Sequence, residues 1–188
     1  IQRPLLHPDM RRYPDVHAEL PTADRLIDIV RDGCDAGFRT QDMVPGDMMA
    51  VPMGQPLRFA VVATPDYFAR HGRPRTPEDL ATHRGIRARM GTGHVYRWEF
   101  ERHGQALAVD VPGGVTLDDP RLMLAAAKAG LGLVYLSEYD VMEALADGSL
   151  QRVLDDWTPP FDPLCLYCPG RRHVPAALRA LIHLIRGN

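Results

Sequence analysis

The sequence contains few of the residues that several common classes of protein require. Three cysteines among 188 residues are too few for a disulfide framework, which points to a reducing, cytoplasmic compartment. The serines are Ser137 and Ser149, neither in a Gly-x-Ser-x-Gly motif, which argues against a serine nucleophile. No apolar run approaches the length of a membrane span, and the start shows no signal-peptide pattern. We therefore expect a cytoplasmic location and no membrane partner.

Neither positive nor negative charge is in large excess. The 22 Lys and Arg residues nearly balance the 24 Asp and Glu residues, for a net charge of -2. A nucleic-acid surface would require a clustered basic face, so we expect no direct DNA contact by this chain. The composition, 45% hydrophobic and 24% charged, is typical of a globular protein with one domain or two small lobes.

The pattern of apolar residues predicts alternating strands and helices. Capping residues before proline or acidic residues indicate helix starts at Thr64, Thr76, Asp119 and Ser137. Predicted helices cover residues 4–12, 23–32, 120–129 and 138–146, with a last one around Leu178, Leu181, Ile182 and Ile185. Predicted strands cover residues 16–20, 34–38, 57–64, 131–136 and 163–169, and residues 96–111 form a hairpin turning at His103-Gly104. This alternation predicts an α/β fold with a mainly parallel or mixed sheet.

Two short motifs suggest cofactor chemistry but lie in unsuitable positions. Gly130-Leu131-Gly132 follows a predicted helix and precedes a strand, whereas a phosphate-binding loop follows a strand and opens a helix. We interpret it as a helix C-cap and a close packing point. Cys165 and Cys168 lie three apart on a predicted strand, so their side chains point to opposite faces. We expect them to be packed apolar residues and expect neither a metal site nor a cofactor.

No other constellation supports catalysis. The eight histidines show no metal-binding spacing, and we interpret most of them as solvated. Asp118-Asp119 is typical of a helix cap, Asp155-Asp156 of a solvated loop, and Glu99 with Glu101 of an exposed strand face. An enzyme is therefore the weakest of the functional hypotheses, and we expect no catalytic residue.

The ends of the predicted strands are the best candidates for a binding site. In open α/β sheets, ligands lie at the carboxyl ends of strands near helix N-termini. Arg39 could hold an anion, although a plain surface arginine is an equally good interpretation. The free N–H groups of the helix that begins at Pro120 suit a carboxylate. The strand ends identified in this way are Arg39-Thr40-Gln41, Thr64, Thr116 to Asp119, and Tyr135 to Ser137.

An ordered series of segments resembles the effector-binding domain of LysR-type transcriptional regulators. The segments are RYPDVHAEL, LIDIVRDGCDAGFR, PLRFAVVATPDYFARHGRPRTPEDLATHRGIR, DDPRLMLAAAKAGLGLVYLSEYDV, ALADGSLQRVLDDW and PLCLYCPGRRHVPAALRALIHLI. The resemblance implies a two-lobed fold like that of periplasmic binding proteins, with two crossover strands. Residues 1–60 with 164–188 would form lobe one, and residues 61–163 lobe two. It also implies that the first strand of lobe one is missing here, as is the helix-turn-helix domain that precedes this region in the family.

The same resemblance implies a small effector bound between the lobes. Arg39 and Thr40 match a lobe-one loop in which Gln41 replaces the usual glycine, and Asp118 replaces an asparagine of lobe two, which could disfavour an anionic effector. The residues predicted to bind the effector are Arg39, Thr40, Gln41, Arg87, Trp98, Thr116, Asp118, Asp119, Tyr135 and Ser137. The implied partners are a carboxylate or aromatic effector, further copies of the chain in a dimer or tetramer, and DNA only through the absent domain. A solute receptor of a transporter is the alternative with the same fold.

Overall fold

The computed structural model describes residues 28–170 and 174–186, together with His17 and Glu19. The helix predicted at 4–12 and, except for His17 and Glu19, the strand predicted at 16–20 lie outside this part of the chain. The expectation that the first strand of lobe one is missing also concerns a region outside it. So does most of the helix predicted at 23–32. Its last residues form a hydrogen-bonded turn, in which the Cys34 N–H donates to Ile29 O (2.8 Å), and Gly33 ends it with a φ of 74°.

The described chain contains ten strands, four α-helices and three short 3-10 helices. The strands are β1 (Gly37–Thr40), β2 (Met48–Pro52), β3 (Phe59–Ala63), β4 (Gly85–Ala88), β5 (Trp98–Arg102), β6 (Gln105–Val109), β7 (Val115–Leu117), β8 (Leu133–Ser137), β9 (Gln151–Val153) and β10 (Leu164–Pro169). The α-helices are α1 (Pro65–His71), α2 (Pro120–Lys128), α3 (Glu138–Ala146) and α4 (Ala176–Arg186). The 3-10 helices are Gln41–Met43, Pro77–Thr82 and Asp155–Trp157.

The chain divides into two compact units. Unit 1 contains Ile1–Pro56 and Asp162–Asn188, and unit 2 contains Leu57–Phe161. The chain passes from one unit to the other twice, at positions a few residues from the predicted lobe boundaries at 60 and 163. The assignment of functional lobes to residues 1–60 with 164–188 and to 61–163 stays a prediction.

Unit 1 is built on an antiparallel three-stranded sheet in the order β1-β10-β2. Phe38, Leu166 and Val51 are register partners across this sheet and therefore share one face. Leu178 and Ile182 of α4 are buried against that face, because they recur at helical spacing. The apolar stripe predicted for the last helix is thus confirmed as part of the unit 1 core.

Unit 2 is built on a five-stranded mixed sheet in the order β7-β4-β8-β3-β9. Strand β4 runs parallel to β7 and β8, whereas β3 runs antiparallel to both β8 and β9. The prediction of a mixed sheet is therefore correct, and that of a mainly parallel one is wrong. Hydrophobic periodicity carries no information on strand direction, which depends on how the chain returns to the sheet.

Both faces of the unit 2 sheet are covered, which explains its nearly continuous apolar strands. Ala60, Val62 and Val134 face α2 and α3 in one buried cluster. Val61 and Tyr135 face the other way, in a cluster that includes residues of the hairpin formed by β5 and β6.

That hairpin forms as predicted. Trp98 and Phe100 are buried on one face, while Glu99 and Glu101 are exposed on the other. His103 and Gly104 have φ values of 53° and 78°, as required for a tight two-residue turn that matches the twist of the strands.

The corner at Gly130-Leu131-Gly132 is confirmed as structural. The Gly130 N–H donates to Ala127 O (2.9 Å) and the Leu131 N–H to Ala126 O (3.2 Å), which closes the C-terminus of α2. Gly130 has a φ of 76°. A Cβ at Gly132 would lie 2.3 Å from the carbonyl oxygen of Arg84, so only glycine fits there.

Candidate functional site

The carboxyl ends of β4, β7 and β8 meet at one edge of the unit 2 sheet, because these strands are parallel. This arrangement brings Thr116 to Asp119 and Tyr135 to Ser137 to the same edge. The expected position of Thr64 is wrong. Strand β3 is antiparallel to β8, with Phe59 opposite Ser137, so Thr64 lies at the other end of the sheet. There its hydroxyl accepts a hydrogen bond from the Tyr67 N–H (3.1 Å) as the cap of α1.

Arg87 and Thr116 are direct neighbours at this edge. They are register partners on the parallel strands β4 and β7, and so project from the same face. That face is opposite to the one on which Ile86 packs with the helices, and it is the face covered by the hairpin. An Arg87 Nη atom donates to Asp110 Oδ1 at 2.8 Å. Thr116 is half-buried.

Trp98 and Tyr135 lie in the interior of unit 2. They are 1% and 7% exposed, and their stacked rings have centroids 5.6 Å apart. Phe59 stacks on the Tyr135 ring at 4.7 Å, and the Tyr135 hydroxyl donates to the carbonyl oxygen of Glu99 at 2.6 Å. Burial raises the pKa of Tyr135 well above its usual value. Neither ring offers much surface, so their direct contact with a ligand stays a prediction.

The N-termini of α2 and α3 lie at the same edge of the sheet. The Asp119 carboxylate accepts from the Arg121 N–H (2.7 Å) and from the Arg121 guanidinium (2.8 Å), as the predicted cap of α2. The Arg121 guanidinium and backbone N–H lower the pKa of Asp119 to about 2. Asp118 is exposed. Ser137 precedes α3, but its hydroxyl caps no helix N–H, so the predicted capping role is wrong and the hydroxyl is left for other partners.

The remaining predicted residues lie in unit 1. Arg39 lies over the ring of Tyr167, 5.0 Å from its centroid. The same ring covers Gly37, where a Cβ would approach to 2.6 Å. Thr40 ends β1 and Gln41 begins a 3-10 helix. A cleft of about 560 Å³ is lined by Asp28, Ile29, Val30, Arg39, Pro45, Asp47, Met48 and Tyr167.

An ion-pair network between β9 and α3 was not expected from the sequence. Arg152 pairs with Glu138 at 2.6 Å and lies 3.3 Å from Asp155. Arg58 donates to the carbonyl oxygens of Thr158 (2.6 Å) and Asp155 (2.7 Å). Asp155 takes part in this network, and it is also exposed, as predicted for a solvated segment. No sequence spacing indicates the Arg58 contacts, since the partners are about a hundred positions apart.

The cysteine pair has the predicted structural role. Cys168 packs in the core on the α4 face of β10, and Cys165 points to the opposite face. Burial raises the pKa of both thiols. Within residues 28–170 and 174–186, no three His, Cys, Asp or Glu side chains are grouped so that they could hold a metal ion. None of the helices in the described part of the chain has the length and apolar character needed to span a bilayer.

The fold matches that of bacterial regulatory domains with the two-lobed periplasmic-binding-protein-like architecture. The full-length structure of the Vibrio cholerae virulence activator AphB matches with a TM-score of 0.84 and 24% identity, covering 100% of this chain and 63% of AphB. CrgA, a LysR-type transcriptional regulator from Neisseria meningitidis, matches with a TM-score of 0.78 and 24% identity, covering 98% of this chain and 62% of CrgA. At this identity the likeness concerns the fold alone. The predicted α/β fold class is confirmed.

The sequence comparisons then establish the family. The profile of the LysR substrate binding domain matches residues 3–188, and the chain belongs to that family. The HTH-type transcriptional regulator YcaN of Escherichia coli K12 is 39% identical over 176 residues, covering 94% of this chain and 57% of YcaN. A putative transcriptional regulator of Pseudomonas aeruginosa PAO1 is 40% identical over 191 residues, covering 99% of this chain and 62% of that protein. The chain thus spans less than two thirds of the length of these relatives.

Proposed function

We propose that this chain is the effector-sensing domain of a LysR-type transcriptional regulator. The observation that carries the proposal is the family match over residues 3–188, together with relatives of up to 40% identity that are named transcriptional regulators. DNA binding would belong to a separate part of the complete protein. This assignment accords with the nearly balanced charge of the chain.

The proposed mechanism is a shift between two arrangements of an oligomer of identical chains in the cytoplasm. A small molecule can shift such an equilibrium only by binding one arrangement more tightly than the other. The candidate contacts are Arg87, Thr116, Asp118 and Ser137 in unit 2, and Arg39, Thr40 and Gln41 in unit 1. The position of the effector between the lobes stays a prediction, and we expect no catalytic turnover.

A thermal-shift screen tests this proposal. Small carboxylates, aromatic compounds and amino acids would be added to the purified chain. A ligand at a hundredfold its dissociation constant stabilises the folded chain by about 2.7 kcal/mol. A hit should also change the mobility of a complex between the complete gene product and its upstream DNA. Absence of any stabilising compound, or hits without an effect on DNA binding, would contradict effector sensing.

The Arg39→Ala substitution tests the unit 1 part of the site. We expect the variant to remain folded by circular dichroism but to lose stabilisation by the hit. Arg31→Ala is the matched control, because Arg31 is an exposed arginine of the same unit and carries the same charge. A normal response of the Arg39 variant would remove this residue from the site.

A further inference from the structure

Arg87 has a hydrogen-bonding group that no other described residue uses. Its side chain is only 26% exposed, and one Nη atom pairs with Asp110. Its Nε atom is buried and has no acceptor among the described residues. A buried donor on a charged group that lacks a partner is costly, and such groups in native proteins commonly face a bound molecule or water.

In the other largely buried arginines of unit 2, the Nε atom lies near an oxygen acceptor. Arg58 Nε donates to Thr158 O at 2.6 Å. Arg152 Nε makes no well-aligned hydrogen bond, but it lies 3.3 Å from an Asp155 carboxylate oxygen. Arg87 differs from both, because no carboxylate or carbonyl of the described chain serves its Nε.

Thr116 provides a second polar group on the same face of the sheet. Its Cα is the register partner of the Arg87 Cα, and neighbouring strands lie about 4.8 Å apart. The Thr116 side chain is half-buried, and its hydroxyl forms no hydrogen bond within the part of the chain that the structure describes. Two register partners on one face of the sheet thus carry an N–H donor and a rotatable O–H donor.

We propose that Arg87 and Thr116 bind a carboxylate group of the effector, an inference that rests on the proposed function. The Arg87 Nε–H would donate to one carboxylate oxygen and the Thr116 hydroxyl to the other. Asp110 formally neutralises Arg87, but the Asp110 side chain is 64% exposed, so water screens its charge. The more deeply buried Nε side of the guanidinium is screened less, and it favours an anionic acceptor over a neutral one.

Nuclear magnetic resonance of the arginine Nε–Hε groups tests the inference directly. Acetate would be added to the ¹⁵N-labelled chain, with acetamide as the neutral probe of the same shape, at constant ionic strength in sodium chloride. We expect acetate to move the Arg87 resonance in a saturable way and acetamide to leave it in place. Equal movement with acetamide, or no movement with acetate, would overturn the inference.

Matched variants separate binding from a general effect of charge. Thr116→Val keeps the shape of the side chain and should weaken acetate binding about fivefold, the effect of losing one hydrogen bond. Arg70→Gln removes an exposed arginine of α1 and should leave acetate binding unchanged. Unaltered affinity in the Thr116 variant would refute the site. If the thermal-shift screen yields an effector while acetate fails at Arg87, the proposed function stands and only this inference falls.

Discussion

Replacing Tyr67 with phenylalanine would remove one oxygen atom from the interior of unit 2. The Tyr67 side chain is 1% exposed, and its hydroxyl accepts from the Arg84 N–H at 3.0 Å and lies 3.2 Å from His83 Nδ1. The backbone N–H can only donate, so the hydroxyl proton remains available for His83 Nδ1. We assign it to that bond because burial lowers the pKa of His83 and favours a neutral ring that can accept. His83 is then neutral, with its other ring nitrogen protonated.

The magnitude follows from the groups that lose a partner. In the Tyr67→Phe variant, the buried His83 Nδ1 has no donor, and the partly buried Arg84 N–H has no acceptor. A buried polar group without a partner costs about 1–3 kcal/mol. Water can reach the Arg84 N–H more easily than His83, so we expect a total loss of about 2 kcal/mol in the free energy of unfolding.

The assay is urea unfolding followed by tryptophan fluorescence. Trp98 and Trp157, the two tryptophans of the sequence, both lie in unit 2, so the signal reports that unit. With a urea dependence of about 2 kcal/mol per M, the midpoint should fall by about 1 M. Tyr139→Phe is the control, because Tyr139 is exposed on α3 and should change stability by less than about 0.5 kcal/mol. If the Tyr67 and Tyr139 variants behaved alike, the bridging role of the hydroxyl would be refuted.

The same variant should also change the pH dependence of stability. Burial, followed by the nearby His71, lowers the pKa of His83 from its usual 6.5. Between the folded pKa of His83 and 6.5, the unfolded chain binds more protons than the folded chain. The contribution of His83 to stability is therefore fully present above pH 6.5, and it is lost as the pH falls through the folded pKa. The Tyr67 hydroxyl supports the neutral form of His83. The difference between wild type and Tyr67→Phe should therefore be largest above pH 6.5 and should shrink as the pH falls through the folded pKa of His83.

Three further substitutions test the packing and the helix cap. Gly132→Ala should cost about 3 kcal/mol in urea unfolding, because its Cβ would meet the Arg84 carbonyl oxygen, a backbone atom that cannot easily move; a loss below about 1 kcal/mol would show that the corner relaxes. Trp98→Ala should cost about 3–5 kcal/mol by circular dichroism, because it empties the space between the hairpin and the sheet; a near-neutral effect would place Trp98 outside the core. Asp119→Ala should lower the melting temperature at pH 7, and the difference should vanish as the pH falls toward about 2, where the wild-type carboxylate takes up its proton. A pH-independent difference would contradict the capping role of the ionised carboxylate.

Local structure in the described chain was largely predictable. The hairpin at His103-Gly104 and the caps at Thr64 and Asp119 depend on backbone conformation and side chains within a few residues of each other. The reversed order of helix and strand around Gly130 was sufficient to exclude a phosphate loop. The predicted cap at Ser137 does not form, because a hydroxyl in a capping position need not turn toward its own helix.

Strand direction was not predictable in the same way. The expectation for Thr64 assumed that the strand ending there shares its direction with the strand ending at Ser137. The register of Phe59 with Ser137 reverses one relative to the other. Both directions bury the same apolar residues, so the pattern of hydrophobicity cannot distinguish between them.

The sequence by itself determined the α/β class, most described element positions, the burial of the cysteines and the resemblance to the LysR family, because these depend on local periodicity and on an ordered series of segments. Only the tertiary structure decided that Arg87 is the register partner of Thr116 and carries a buried donor without an acceptor among the described residues. It also decided that Trp98 and Tyr135 stack in the core. Residues 29 or more positions apart become neighbours through strand register. That register is set by the packing of the whole unit rather than by any one segment.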